Sequence, residues 1–159
     1  MNIGIVVDNL DPHTGWGRLA RTVGDGLEKR GHMIRYLVRP RQLLALRAWV
    51  KQCDVVLCYD LLPYGAMVVT SAIGLRVKIV LYIIGTYSMP NARWSLRNMA
   101  IRWAIWRGDR IVYIGDYVRR LIEARGVALG NAVKIPVGVD TGRFHPAAAR
   151  NRPCPHPYL

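Results

Sequence analysis

The segment 77–84 is almost entirely apolar, which is typical of a strand buried on both faces of a parallel sheet. Similar strand-like runs occupy residues 3–7, 33–38, 54–59, 110–114 and 133–136. Helix-like segments alternate with them, at residues 18–29, 42–50, 61–73, 94–106 and 116–125. This alternation predicts an α/β fold, a Rossmann-like parallel sheet with helices on both faces.

Two residues are predicted to define helix ends. Gly31 follows the first helix, where a glycine commonly terminates a helix in the left-handed conformation. Asp116 stands at the start of the last helix, where a carboxylate can accept hydrogen bonds from the free amides.

The formal net charge of +13 is the unusual feature of the composition. Such a basic chain favours an anionic partner, and three classes fit: nucleic acid, an anionic membrane surface, or phosphorylated substrates. No signature of an RNA-binding or zinc-finger domain accompanies the charge, so we expect no nucleic-acid partner. The membrane surface and phosphorylated substrates stay open.

The sequence predicts a cytoplasmic protein without a membrane span. Its longest uncharged run, 61–75, is shorter than the roughly 18 to 20 residues that a span requires, and Pro63, Gly65 and Gly74 interrupt it. The amino-terminal residues lack the basic stretch of a signal peptide and have the pattern of a strand.

The three cysteines, Cys53, Cys58 and Cys154, have neither the spacing of a disulfide framework nor that of a metal site. Cys58 lies inside a predicted strand, where a free thiol packs like a small apolar group. We therefore expect structural cysteines and no bound metal.

The loop Gly15-Trp16-Gly17-Arg18 begins the first helix and formally matches the pattern G-x-G-x-x-A. Glycines and the free N–H groups of a helix start favour a bound phosphate. An NAD(P) site is a weaker interpretation, because the loop does not follow its strand directly and Arg39 replaces the usual acidic residue. A plain turn requiring positive φ is the third interpretation.

Three further stretches follow this loop in order along the chain. Arg30-Gly31-His32 follows the first helix, residues 111–117 lead from a strand into a helix at Tyr117, and residues 135–146 contain Ile135-Pro136, Gly138-Val139-Asp140, Arg143-Phe144 and Pro146. Together with the loop they resemble the N-terminal, acceptor-side domain of retaining glycosyltransferases of family 4, which is one half of a GT-B architecture.

The resemblance implies transfer of a sugar from a nucleotide-diphosphate sugar to the hydroxyl of a sugar or lipid-linked acceptor, with retention and without a cofactor. It places Gly15, Gly17 and Arg18 at the donor diphosphate. The acceptor contacts that it implies are Asp8, His13, Gly85, Thr86 and Tyr87.

Three positions depart from the family's pattern, so no catalytic residue is assigned. Ile84 stands where His is frequent, Gly115 where Ser is frequent, and Val137 where Asn is frequent. The Glu-x7-Glu pair of the family's donor-binding domain has no counterpart, because Glu28 and Glu123 are the only glutamates.

The domain organisation implied by the resemblance is a Rossmann-like domain over residues 1–146. A Pro-rich interdomain linker, or the start of a missing C-terminal domain, follows over residues 147–159. Such a chain is expected to be inactive without a donor-binding half, whether it is truncated or the acceptor-side subunit of a split enzyme. A non-catalytic binding or regulatory module is the alternative.

The segment 94–106 combines tryptophans with arginines, a composition found at anionic bilayer surfaces. Its apolar residues form two stripes on opposite sides of a helix, namely Leu96, Met99, Trp103 and Trp106 on one side and Trp94, Ile101 and Ile105 on the other. Two stripes favour a helix packed between the sheet and a neighbour. Core packing is therefore predicted, with membrane contact as the alternative.

Overall fold

The computed structural model describes residues 1–84 and 95–138. Six parallel strands form one sheet in the order β2-β1-β3-β4-β5-β6, and their bounds are β1 Asn2–Val7, β2 Met33–Val38, β3 Val55–Cys58, β4 Lys78–Ile83, β5 Arg110–Tyr113 and β6 Ala132–Lys134. The helices that connect them are α1 Gly15–Glu28, α2 Leu43–Val50, α3 Ala66–Ser71, α4 Leu96–Arg107 and α5 Asp116–Glu123. The predicted Rossmann-like α/β fold is confirmed.

The direction in which the chain adds strands changes once. From β1 the chain moves to β2 on one side, and it then crosses back to β3 on the other side of β1. Every later strand is added beyond β3. In open parallel sheets this change of direction leaves a crevice at the carboxyl ends of the two central strands, where ligands bind. Here that crevice lies between the ends of β1 and β3.

The two faces of the sheet are covered unequally. On one face, Ile3, Ile5 and Val7 of β1 pack with Ala20 of α1 and Leu57 of β3. The other face packs against the remaining helices, through residues that include Leu46, Val68, Ile101 and Ile122. Among the described elements, α1 alone therefore covers the first face.

Gly31 ends α1 as the sequence predicts. It has a φ of +82°, its N–H donates to the carbonyl of Glu28 (2.8 Å), and the next residue, His32, donates to Leu27 (3.2 Å). This pair of bonds is the Schellman arrangement, which satisfies the last carbonyls of a helix and favours glycine at this position.

The predicted helix 61–73 is shorter and less regular than its apolar pattern indicated. An irregular π-type turn, Leu61–Gly65, precedes α3, and Leu62 within it has extended backbone angles. Leu62 comes before Pro63, and the proline ring disfavours helical angles at the preceding residue. The carboxylate of Asp60 accepts the N–H of Leu62 (3.2 Å).

Asp116 does not cap α5, contrary to the sequence-based expectation. Gly115 occupies the capping position in an extended conformation, and Asp116 is the first helical residue. Its carboxylate instead pairs with the Lys134 ammonium of β6. A carboxylate in the first turn of a helix still interacts favourably with the helix dipole.

The prediction that both stripes of α4 are packed is wrong. Ile101, Ala104 and Ile105 are buried against the sheet. The opposite stripe faces solvent, with exposed fractions of 85% for Leu96, 53% for Met99, 36% for Trp103 and 72% for Trp106. The apolar pattern alone does not distinguish a stripe covered by the domain from one that the domain leaves uncovered. Within the described residues, no helix is both long and apolar enough to cross a membrane.

Both described cysteines are buried, as expected. Burial raises the pKa of the Cys58 thiol to about 12, so it stays protonated at neutral pH and packs as an apolar group. Several predictions lie outside the described residues, namely the loop 85–92, Trp94, Cys154 and the Pro-rich segment 147–159.

The hydroxyl of Tyr59 generates a stability prediction. Tyr59 is 1% exposed and its ring stacks on Tyr82, with the ring centroids 4.5 Å apart. The Tyr82 hydroxyl interacts with the Oη of Tyr59, but no described residue forms a hydrogen bond of ordinary geometry with it. A buried hydroxyl without a well-formed hydrogen bond has lost its bonds to water and has not replaced them within the protein. We expect Tyr59→Phe to raise the free energy of unfolding, or leave it unchanged within about 1 kcal/mol.

Urea denaturation of the two proteins measures this difference. Tyr59→Ala is the contrast, because removal of the stacked ring should cost about 3 to 5 kcal/mol. A Tyr59→Phe variant destabilised by more than about 1 kcal/mol would mean that the hydroxyl has a partner.

Candidate functional site

The loop that follows β1 is held by its own side chains. The Oδ1 atom of Asn9 accepts the N–H of Asp11 (3.1 Å) and lies 2.7 Å from the hydroxyl of Thr14. The carboxylate of Asp11 accepts the N–H of His13 (2.8 Å). These short-range bonds are typical of Asx turns, in which a side chain replaces the backbone acceptor. The loop therefore enters α1 in a defined conformation at the carboxyl end of β1.

Gly17 is needed for the packing of this loop on α1. Its N–H donates to the Oγ1 atom of Thr14, the N-cap residue of α1 (3.1 Å). A Cβ on Gly17 would lie 2.7 Å from the backbone nitrogen of Asp11 and still closer to its carbonyl oxygen. Its φ is not positive, so close packing explains the glycine and the positive-φ interpretation does not apply.

Gly15 has a different environment. It is exposed, and a Cβ on it would meet no atom within 4 Å. As the first residue of α1 it has no intrahelical acceptor for its N–H, and neither does Trp16. No described residue accepts either N–H. The start of α1 therefore presents two free amide donors and the positive end of the helix dipole to the crevice.

Two arginines of α1 fasten the loop from outside. The Nε atom of Arg18 donates to the carbonyl of Pro12 (3.1 Å), and that of Arg21 donates to the carbonyl of Leu10 (2.6 Å). Arg18 therefore lies beside Gly15 and Gly17, where the sequence predicted a donor contact, and it also braces the loop. Its terminal guanidinium nitrogens are not used in this bond.

Asp8 stands directly at the carboxyl end of β1 and accepts hydrogen bonds from three side chains, of which the Asn9 amide is the nearest in sequence (3.3 Å). Arg39 donates to it through Nε (3.0 Å) and Nη2 (3.1 Å), and the hydroxyl of Tyr64 donates to its Oδ1 (3.0 Å). The hydrogen bond from Arg39 is the main cause that lowers the pKa of Asp8. The crevice thus contains a carboxylate that is ionised at neutral pH.

Arg39 follows β2 and adopts a left-handed φ of +49°, which is unusual for a residue with a Cβ. Its bidentate pairing with Asp8 requires the guanidinium to turn back over the end of β1. Two of the guanidinium nitrogens of Arg39 are thus occupied by Asp8, which weakens the dinucleotide interpretation.

The structure brings together Asp8, His13, Gly15, Gly17 and Arg18, because all five lie between the end of β1 and the first turn of α1. The other predicted acceptor contacts, Gly85, Thr86 and Tyr87, lie outside the described residues.

Sequence reasoning did not select Arg39 or Tyr64 as site residues. Each lies beyond the end of a strand adjacent to β1, namely β2 and β3. Their positions after strand ends could have marked them as candidates. The sequence does not indicate, however, that both side chains bind Asp8.

The exposure of the Asp8–Arg39 pair limits its contribution to stability. The side chains are 47% and 58% exposed, and pairs of this kind contribute about 1 kcal/mol or less. We expect Asp8→Asn to lower the free energy of unfolding by no more than about 1 kcal/mol at pH 7. Because folding lowers the pKa of Asp8, its stabilising effect is complete above the ordinary carboxyl range and is lost as the pH falls through the lowered pKa.

Urea denaturation from neutral to strongly acidic pH tests this, and the two unfolding curves should converge in acid. Asp25→Asn is the matched control, since Asp25 is an exposed carboxylate of α1 with no bonded side chain among the described residues. A constant difference between wild type and Asp8→Asn at every pH would contradict the ion-pair explanation.

Comparison with known proteins identifies the family. The family model described as Glycosyltransferase Family 4 matches residues 31–143, which is more than half of the chain. The match begins after α1, so the loop around Gly15 lies outside it. No curated protein matches the sequence. The six-stranded parallel sheet agrees with the Rossmann-like half of a GT-B enzyme, and the chain belongs to glycosyltransferase family 4.

Proposed function

We propose that this domain forms the acceptor-side wall of the cleft of a retaining glycosyltransferase. The reaction transfers a sugar from a nucleotide-diphosphate sugar to the hydroxyl of a sugar or lipid-linked acceptor. Membership of family 4 supports sugar transfer in general. The observation that carries the more specific proposal is the exposed start of α1, whose free amides of Gly15 and Trp16 lie at the change of strand direction.

The donor diphosphate is the part of the substrate that these amides fit. Amide donors at a helix start bind phosphate oxygens, and the helix dipole favours the negative charge that develops on the leaving diphosphate. Gly15 leaves open space for an approaching phosphate, whereas Gly17 allows the loop to close on the helix. Arg18 adds positive charge beside the same turn, so the proposed contact requires no metal.

The acceptor is the substrate that Asp8 and His13 fit. The Asp8 carboxylate accepts two hydrogen bonds from Arg39 and one each from Tyr64 and Asn9, so a sugar hydroxyl would bind it in place of one of these donors. An ionised carboxylate is a strong acceptor for such a hydroxyl. His13 is exposed at the turn of the same loop. Gly85, Thr86 and Tyr87 follow β4 in the sequence, and we propose them as further acceptor contacts.

We propose that transfer also requires a donor-binding domain, in the same polypeptide or in a partner chain. Among the described residues, the start of α1 offers two amides and one arginine to the donor, which is few for a nucleotide-sugar site. Residues 1–159 should therefore bind donor weakly and transfer no sugar on their own. A non-catalytic binding module is the alternative, and it is favoured if transfer is absent even when a donor-binding domain is supplied.

Substitution of Gly15 tests the phosphate contact. In a protein that includes the donor-binding domain, we expect Gly15→Val to lower kcat/KM about tenfold to hundredfold, because the new side chain blocks the approach of phosphate to the amides. The melting temperature should stay unchanged, since the Cβ of residue 15 meets no neighbour within 4 Å. Transfer assays and thermal unfolding of the same preparation provide both measurements.

Gly26→Val is the matched control, because Gly26 also lies in α1, a Cβ on it would meet no atom within 4 Å, and it is remote from the helix start. Any effect of replacing a helical glycine by a β-branched residue appears in both variants. Gly17→Ala should instead lose stability, since its Cβ collides with the backbone of Asp11. A fully active Gly15→Val enzyme would remove the diphosphate from this helix start.

A further inference from the structure

Among the described residues, the proposed function leaves unexplained the uncovered stripe of α4 that is formed by Leu96, Met99, Trp103 and Trp106. The four residues follow the spacing of one helix face, and the opposite face of α4 is part of the core. Large apolar side chains grouped on a surface mark interaction sites, whereas single exposed ones require no explanation. This stripe is the first part of what we call the docking face.

The indoles at the end of the stripe are held in place. The rings of Trp103 and Trp106 lie 5.4 Å apart, and the guanidinium of Arg107 lies 5.9 Å and 5.8 Å from their centroids. The Nε1 atom of Trp103 donates to the Oγ1 atom of Thr70 in α3 (3.2 Å). Trp103 is therefore anchored to the domain, and Trp106 projects from it with a cation beside its ring.

A basic groove lies beside the last turn of α4 and completes the docking face. Its volume is about 390 Å³, and the charged residues that line it are Arg76, Lys78, Arg107 and Asp109. Lys78 pairs with Asp109 (2.8 Å), which leaves two further arginines in the groove. No described residue forms a hydrogen bond or ion pair with Arg76. The groove thus carries a net positive charge next to exposed indoles.

We propose that the docking face binds an anionic lipid bilayer. Trp106, Leu96 and Met99 would enter the headgroup region, where an indole places its ring in an apolar layer and its N–H in a polar one. Arg76 and Arg107 would bind lipid phosphates at the groove. The axis of α4 then lies parallel to the membrane plane, as in other interfacial helices.

A bilayer fits the docking face better than nucleic acid. The arginines and the groove would suit any polyanion, but the aliphatic side chains of Leu96 and Met99 gain little from a phosphate backbone. α4 has no acidic residue, so nothing on it repels an anionic membrane. The formal net charge of +13 adds a long-range attraction of the same sign.

Vesicle sedimentation of the full chain tests the inference without donor or acceptor, so its outcome is independent of sugar transfer. The lipids are phosphatidylcholine alone, and phosphatidylcholine with about 30 mol% phosphatidylglycerol. We expect binding to the anionic vesicles at about 0.1 M salt and strong weakening at about 0.5 M, where the Debye length falls to roughly 4 Å. Absence of binding, or equal binding to neutral and anionic vesicles, would overturn the proposal.

Two pairs of variants locate the binding surface. Trp106→Ala should weaken binding to anionic vesicles about tenfold, while Met33→Ala, at an exposed methionine of the distant edge strand β2, should leave it unchanged. Arg76→Gln should weaken binding about fivefold, whereas Arg30→Gln, beyond α1 on the opposite face of the sheet, should have a smaller effect. Circular dichroism and thermal unfolding confirm that each variant is folded.

Equal losses within each pair would mean that charge and hydrophobicity act without a defined surface, and the docking face would be wrong. Competition with a single-stranded oligonucleotide gives a further check. Displacement of the chain from vesicles by the oligonucleotide, together with tighter oligonucleotide binding that also depends on Trp106, would assign the face to nucleic acid and overturn the proposal.

Discussion

The burial of β1 between β2 and β3 is the constraint on which the candidate site depends. Ile5, Val6 and Val7 are at most 1% exposed, and the strand forms hydrogen bonds with a neighbour on each side. A strand held in this way fixes the position at which the chain leaves the sheet. Asp8 is the first residue beyond that point. The crevice at the change of strand direction, the loop across it and the start of α1 all take their positions from β1.

Hydrogen bonds hold the loop at this crevice, while the first amides of the helix that follows it have no acceptor among the described residues. Hydrogen bonds within the loop join Asn9, Asp11 and Thr14. From α1, the side chains of Arg18 and Arg21 donate to two carbonyl groups of the loop. This bracing holds the first turn of α1 in place while its amides stay free. Donors fixed before the ligand arrives require little reorganisation, which is the condition under which hydrogen bonds stabilise developing charge most effectively. The two glycines therefore differ: Gly17 is required by the packing of the loop, whereas Gly15 borders open space, where we propose that the diphosphate binds.

Local patterns in the sequence were sufficient for most of the fold. The bounds of β2 agree with the prediction of 33–38, because strand and helix periodicity and the glycine after α1 are properties of short segments. The irregular turn before α3 departs from the apolar pattern of 61–73, although Pro63 is a signal for it in the sequence, because proline disfavours helical angles at Leu62. The Asp8–Arg39 pair was missed, because it joins residues 31 positions apart through the register of β1 and β2. The exposed stripe of α4 was misassigned for a related reason. Whether one face of a helix is exposed to solvent depends on which other elements surround it, and these come from distant parts of the chain.

The two proposed surfaces occupy different parts of one sheet and should not obstruct each other. Because α4 joins two parallel strands, it runs antiparallel to them, from the carboxyl edge of β4 to the amino edge of β5. α1 begins at the same carboxyl edge but lies on the opposite face of the sheet. A bilayer against α4 would thus leave the amides of Gly15 accessible from the other side. The basic groove at the amino edge lies at the far end of the strands from Asp8, so phosphates bound there would not compete with a donor diphosphate. We therefore expect the two proposed functions, membrane attachment and sugar transfer, to be separable, so that substitutions on one surface leave the other unchanged.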